Sequence, residues 1–247
     1  MDPIVSMQDV SLYYHSINGE TPAVSHLNLF VSSGEFIAIV GPSGCGKSTI
    51  LSLLAGLLSP SDGKISVEGN IGYMLQKDHL LNWRNIRNNA LLGLEVQNNL
   101  TADHIAYVDS LLEQYGLGEF KEHYPSQLSG GMRQRVALIR TLAIRPDILL
   151  LDEPFSALDY QTRLSVSDEI GSIIKKEKIT AILVTHDIGE AVSLADKVIV
   201  LTKRPAQVKK EFPIQFSKKC DTPMQARETT EFKEYFNAIW KELDVHV

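Results

Sequence analysis

The 247-residue sequence predicts an α/β fold: a mostly parallel sheet with helices on both faces, joined to an N-terminal antiparallel β region and an inserted all-helical subdomain. Two observations carry the core. Four short apolar runs, at 36–40, 148–151, 181–184 and 198–201, have no polar interruption, as strands buried on both faces require. Helical periodicity lies between them, and buried strands alternating with helices give a parallel sheet covered on both sides. A third observation carries the insertion. From about Asp78 to Ile144 no such run occurs, and only helical spacing remains.

In chain order, residues 5–12 read as a strand, followed by Tyr13 and Tyr14. Leu27, Leu29 and Val31 then alternate with His26, Asn28 and Phe30, the period of a half-buried strand, and Ser32-Ser33-Gly34 supplies a turn. The run at 36–40 leads into a helix over 48–57, and a short strand follows at 71–75. Within the insertion, Ile105, Val108, Leu111, Leu112 and Tyr115 mark one helix, and a long helical pattern starts after Ser129. Leu164, Ile170, Ile173 and Ile174 mark a helix over 163–177. Phe232, Tyr235, Phe236, Ile239, Trp240 and Leu243 keep helical spacing, a stripe read as packing on its own domain. The expected organisation is a single domain, with 1–77 and 145–247 forming the core around a helical subdomain at 78–144.

Composition narrows the function. Lys and Arg number 24 against 30 Asp and Glu, a net charge of −6, whereas a nucleic-acid-binding domain is usually basic; no nucleic-acid partner is expected. Two cysteines, Cys45 and Cys220, make neither a disulfide framework nor a four-ligand zinc site. The longest nearly apolar stretch, 50–58, is far short of the roughly 20 residues that span a bilayer. The start, Met1-Asp2-Pro3-Ile4, lacks signal-peptide character, so a cytoplasmic location is expected. Lys203, Arg204, Lys209, Lys210, Lys218 and Lys219 read as a solvated basic surface.

Directly after the 36–40 run stands Gly41-Pro42-Ser43-Gly44-Cys45-Gly46-Lys47-Ser48-Thr49, a full match to the phosphate-binding pattern G-x-x-x-x-G-K-[ST]. Glycines let backbone N–H groups curl around phosphates where side chains would block approach. Lys47 supplies positive charge to the β- and γ-phosphates, the Ser48 hydroxyl can ligate Mg²⁺, and the following helix points its positive end at the same anion. Cys45 occupies a variable position of this pattern, with no chemistry assigned to it.

A second set of residues suits the same chemistry. The run at 148–151 ends in Asp152 and Glu153. Asp152 is placed to hold Mg²⁺, directly or through water, and Glu153 to polarise a water for attack on the γ-phosphate. Ser129-Gly130-Gly131, within Leu128-Ser129-Gly130-Gly131-Met132-Arg133-Gln134-Arg135, opens a helix and offers a hydroxyl and two amides to a phosphate. Gln76 follows a short strand, where its amide can reach Mg²⁺ or the attacking water, and His186 ends another, where an imidazole can touch the γ-phosphate.

The order of these segments, with Ser156-Ala157-Leu158-Asp159 added, resembles the nucleotide-binding subunit of an ABC transporter over about residues 4–205, and 128–135 is the discriminating motif. The resemblance implies a P-loop NTPase core binding ATP and Mg²⁺. It makes Tyr14 the adenine-stacking aromatic, with the adjacent Tyr13 leaving the register open, and Asp159 the D-loop aspartate. It implies a head-to-tail pair with a second ATP-binding subunit, a homodimer being expected, in which Ser129-Gly130-Gly131 of one chain caps the ATP held by Lys47 of the other. Gln76-Lys77-Asp78-His79-Leu80-Leu81-Asn82-Trp83-Arg84 further resembles importers of nitrate, taurine and alkyl sulfonates, which usually carry Pro where this chain has Asn82. Such importers pair the ATPase with a membrane-spanning permease, docked through residues 76 to about 92, and indirectly with an extracellular or periplasmic solute-binding protein. The expected location is then the cytoplasmic face of the membrane. A soluble ABC ATPase of DNA repair or translation is the alternative, but those usually carry coiled-coil insertions or paired cassettes, which this sequence lacks. A non-hydrolysing scaffold is disfavoured by Glu153 and His186.

Overall fold

In a computed structural model, residues 3–16, 19–156, 158–218, 220 and 222–243 are described; Ala157 and Lys219 lie outside the described residues. The chain runs through strands β1 (Val5–Ser16), β2 (Gly19–Val31) and β3 (Phe36–Val40), helix α1 (Lys47–Leu54), then β4 (Asp62–Val67) and β5 (Ile71–Met74). Helices α2 (Ile86–Val96), α3 (Ala102–Gln114) and α4 (Gly130–Ala143) follow, then β6 (Ile148–Asp152) and α5 (Tyr160–Glu177). The rest is β7 (Thr180–Val184), α6 (Ile188–Leu194), β8 (Lys197–Leu201), β9 (Val208–Pro213), α7 (Pro223–Arg227) and α8 (Thr230–Leu243). Contacts group these into two compact units, Met1–Gly69 with Ser167–Val247, and Asn70–Val166. The second unit carries β5 and β6 as well as the helical stretch between them.

In the first unit, β1 lies between β2 and β4 in an antiparallel sheet. Leu27, Leu29 and Val31 are buried while His26, Asn28 and Phe30 are exposed, so the alternation in the sequence is the alternation of faces. β1 runs past 12 to Ser16, which puts Tyr14 inside the strand, opposite Thr21 of β2, rather than after it. The hairpin continues pairing there, which the polar residues of this stretch did not signal. β3 is buried along its whole length, parallel to β7 on one side and to β8 on the other, and β9 pairs antiparallel with β8. Burying each such aliphatic side chain contributes about 1.5–3 kcal/mol.

Two helices differ from their sequence patterns. α1 ends at Leu54 rather than 57, because Gly56 takes φ 70° and the Leu57 and Leu58 amides turn back to the Ser52 carbonyl at 2.9 and 3.2 Å. α8 buries Ile239, but its rings at 232, 236 and 240 stack along the helix with centroids 6.2 Å apart, leaving Trp240 53% exposed. The helix end is tied to β9 through Glu242, which accepts from Lys209 at 3.2 Å and Lys210 at 2.9 Å.

In the second unit, β5 and β6 pair in parallel, from Ile71 opposite Ile148 to Met74 opposite Leu151. Close packing against the helices dictates Gly72, where a Cβ would meet Thr141 Cγ2 at 2.9 Å. The three α-helices α2, α3 and α4 each start at a side-chain cap: Asn85 accepts from the Asn88 amide, Thr101 from His104 and Ser129 from Met132. Such caps are worth about 0.5–2 kcal/mol each. Ile86, Ala90 and Leu94 of α2, Val108, Leu111 and Leu112 of α3, and Val136, Ile139 and Leu142 of α4 supply the buried faces. Arg87 Nε and Nη2 donate to both Asp109 oxygens, at 2.8 and 2.7 Å, and lock α2 to α3.

Candidate functional site

Parallel strands present their C-terminal ends together, and ligands of α/β proteins bind there. In the first unit the ends of β3 and β7 lie side by side, with Ile39 opposite Val184 and the Thr185 amide donating to the Ile39 carbonyl. The loop 41–46 leaves β3 and His186 leaves β7. Gly46 has φ 125°, and a Cβ there would lie 2.8 Å from the Ala23 carbonyl oxygen. At Gly41 a Cβ would meet Cys45 Sγ at 2.9 Å and Leu201 Cβ at 3.1 Å. Both positions exclude a side chain, one by backbone conformation and contact, the other by contact alone.

Lys47 is buried at the start of α1, and its Nζ donates to the carbonyls of Gly41 at 2.8 Å and Pro42 at 3.1 Å. Its ammonium is thereby held over the loop, while Ser43, Gly44 and Ser48 are exposed beside it. Burial pushes the Cys45 thiol above its ordinary range, with Lys47 opposing, so Cys45 is a neutral packing residue. Tyr14 is brought to the helix end of this loop: its hydroxyl lies 3.2 Å from Thr49 Oγ1. His186 is exposed in a turn held from beneath by two buried groups. Thr185 Oγ1 donates to Glu190 Oε2 at 2.6 Å and accepts from the Asp187 amide, while Asp187 caps α6 by accepting from the Glu190 amide.

The second unit repeats the arrangement with β5 and β6. Gln76 follows β5, Asp152 is the last residue of β6, and Gln76 Nε2 donates to Glu153 Oε2 at 3.3 Å. Asp152 is buried and Glu153 half-buried. Glu153 has φ 45°, a left-handed conformation that costs a non-glycine residue about 1–3 kcal/mol. The turn after it holds that conformation. The Glu153 carbonyl accepts from the amide and hydroxyl of Ser156, Gln134 Nε2 donates to the Pro154 carbonyl, and Phe155 is buried.

Ser129 Oγ accepts from the Met132 amide at 3.3 Å, and Gly130 and Gly131 form the first turn of α4. A Cβ on Gly131 would meet Thr162 Cγ2 at 2.8 Å, so glycine lets α4 start against α5. Asp159 caps α5 by accepting from the Thr162 amide at 3.1 Å, and its hydrogen bonds with Thr162 hold the carboxyl below its ordinary range.

Several supporting residues escaped sequence reasoning. Asn89, with no exposed surface, accepts from the Leu81 amide and donates to the carbonyls of Leu81, Arg84 and Asn85, so it fixes the segment after Gln76. Arg140 donates to the carbonyls of Asp78 and His79, with burial lowering its pKa and Asp78 opposing. Gln134 supports Glu153 as described. A polar residue on the buried stripe of a helix was the available signal for Asn89 and Gln134.

A family model described as ABC transporter matches residues 24–156. Across 94% of the chain, the sequence is 45% identical to an uncharacterized ABC transporter ATP-binding protein, YtlC of Bacillus subtilis, covering 92% of that protein. This chain belongs to the ABC transporter family. The cassette is also similar to the taurine import ATP-binding protein TauB of Jannaschia sp., at 37% identity over 86% of this chain and 83% of TauB. With the nitrate import ATP-binding protein NrtD of Synechocystis sp. it shares 35% identity over 95% and 93%. The solved dimer of the cassette MJ0796, in a post-hydrolysis state bound to ADP and Pi, matches with a TM-score of 0.76 and 28% identity, over 86% of this chain and 99% of that one. The protein is therefore an ABC cassette that binds and hydrolyses ATP. Among its described residues no helix is long and apolar enough to cross a membrane.

Proposed function

We propose that this cassette drives an importer of a small solute of the nitrate, taurine or sulfonate class, as a peripheral subunit on the cytoplasmic face of the membrane. The observation that carries this reading is the near full-length similarity to relatives named for taurine and nitrate import. In it, two cassettes pair head to tail beneath membrane-spanning permease subunits, and a solute-binding protein delivers cargo from outside.

Each residue then has a role. Gly41, Pro42, Ser43, Gly44, Cys45, Gly46 and Thr49 shape the cradle through their backbone, Lys47 neutralises the β- and γ-phosphates, and Tyr14 stacks on adenine. Ser48, Gln76 and Asp152 offer a hydroxyl, an amide and a carboxylate, hard oxygen donors of the kind Mg²⁺ takes beside substrate phosphates. When bound, Mg²⁺ neutralises charge on the β- and γ-phosphate oxygens. Glu153 accepts a proton from water as the water oxygen bonds to the γ-phosphorus and the bond to the ADP oxygen breaks. His186 donates to the γ-phosphate and keeps the water aligned. Ser129, Gly130 and Gly131 of the second cassette close over the same phosphate, with Asp159 bordering that closure. ATP favours the closed pair and its hydrolysis the open one, a ligand-driven shift of populations.

Deleting the gene in its host and measuring uptake of labelled taurine, nitrate and alkyl sulfonate tests the reading. Loss of uptake of one of these solutes, restored by the wild-type gene and not by the Glu153→Gln variant, is expected. Unchanged uptake of all three, with a cassette that purifies without any multi-span membrane protein, contradicts it.

A further inference from the structure

We propose that Arg133 is a positioning residue that ties the segment after Gln76 to the Ser129 helix end, so that the two move as one piece. The inference rests on the reading that Ser129 caps the γ-phosphate of a partner's ATP, and adds a residue that sets where the cap sits.

The geometry is local to one compact unit. Arg133 stands one turn into α4, and its backbone amide donates to the Ser129 carbonyl at 3.0 Å. Its guanidinium reaches back and donates through Nη1 to the Leu128 carbonyl at 3.0 Å, and through Nε to Asp78 Oδ2 at 3.0 Å. One side chain thus holds the peptide on the near side of Ser129, while its own backbone holds the far side. The same guanidinium grips Asp78, two residues beyond Gln76. Neither partner is fully solvated: the Arg133 and Asp78 side chains are 37% and 29% exposed.

The loop end of this tie is stiff. Arg140 fastens the carbonyls of Asp78 and His79, and Asn89 fixes residues 81–85 with four hydrogen bonds. A displacement imposed on the loop therefore has few ways to dissipate before it reaches Asp78. Two charge-assisted donors from one rigid planar fork transmit direction as well as distance, which a lysine, a single point of charge, does not reproduce. Trp83, 75% exposed on this same segment, gives an outside partner a large handle on it.

The test is a double-mutant cycle on the purified full chain, with Asp78→Ala, Arg133→Ala and the pair, reading ATP turnover, ATP affinity and thermal unfolding. Each single variant is expected to lower kcat by about three- to tenfold, and the double variant by no more than Arg133→Ala alone. ATP affinity, measured with a fluorescent nucleotide at concentrations where the chain is monomeric, is expected to stay within about twofold, because the cradle is untouched. Arg133→Lys, which keeps charge and helix propensity, is expected to retain the loss, and it serves should the alanine variant fold poorly. Multiplicative losses in the double variant, full activity in Arg133→Lys, or affinity falling in step with turnover would overturn the tie. Ser129→Ala separates the two levels. If it leaves turnover intact, the capping reading fails and the tie fails with it; if it lowers turnover while Asp78→Ala does not, only the tie fails.

Discussion

The loop 41–46 and the segment 76–85 both follow a parallel strand in this cassette, yet they are built on opposite principles. The first is shaped by what is missing: Gly46 and Gly41 leave no room for a Cβ beside Ala23, Ala206, Cys45 and Leu201. The second is shaped by what is added, since the buried or half-buried side chains of Asn89 and Arg140 satisfy its backbone one group at a time, and Arg133 grips the Asp78 carboxylate. A site formed by absence tolerates few residue types and leaves a sharp sequence pattern. One formed by hydrogen bonding spreads its specification over distant positions, and leaves a faint one.

The largest expected effect falls on neither loop but on the chemistry they support. Glu153→Gln is expected to slow ATP hydrolysis by about 10²- to 10⁴-fold, the usual weight of a general base, with ATP binding intact. Steady-state phosphate release beside a nucleotide titration checks it, and turnover near wild type removes Glu153 from that role. Next comes Gly46→Ala, which forces an L residue to φ 125° and into the Ala23 carbonyl; a loss of about 1–3 kcal/mol in folding or binding is expected. Thermal unfolding with and without ATP separates those shares, and the comparison breaks if alanine is tolerated.

Asn89→Ala is expected to cost about 1–3 kcal/mol in thermal unfolding, because it strands the Leu81 amide and removes a donor from the carbonyls of Leu81, Arg84 and Asn85. Its effect on ATP affinity is expected to be small, in contrast to Gly46→Ala. The smallest effect concerns acid. Arg87, through its hydrogen bonds, holds the Asp109 carboxyl below its ordinary range. Being lowered in the folded state, that group stabilises above its unfolded pKa and loses the contribution as pH falls through its folded value. Asp109→Asn is thus expected to lower the unfolding midpoint at neutral pH, by the equivalent of about 0.2–1 kcal/mol for a pair that solvent partly screens, and to converge with wild type in acid.

The same contrast explains what could be read in the sequence. The strand at 36–40 and the glycine loop 41–46 after it were legible because unbroken burial and obligatory glycine each restrict residue choice. The alternation at 26–31 was legible because period 2 has one structural meaning there. The end of α1 was not, since Gly56 acts through a backbone angle while the apolar pattern continues past it to Leu58. Nor was the extent of β1, whose last residues pair across a polar hairpin. Gln76, Asp152, Glu153 and His186 were found at strand ends, whereas their supports were not: Gln134 beneath Glu153, and Glu190 beneath His186 through Thr185, act through contacts that only the folded chain creates.

The central claim is that each ATP is shared between two cassettes, and a structure of the Glu153→Gln variant with ATP and Mg²⁺ tests it most directly. The account predicts a dimer holding two nucleotides, each γ-phosphate within hydrogen-bond distance of Lys47 of one protomer and of Ser129 Oγ of the other. A nucleotide enclosed by a single chain, or Ser129 remote from every phosphate in the dimer, would contradict it.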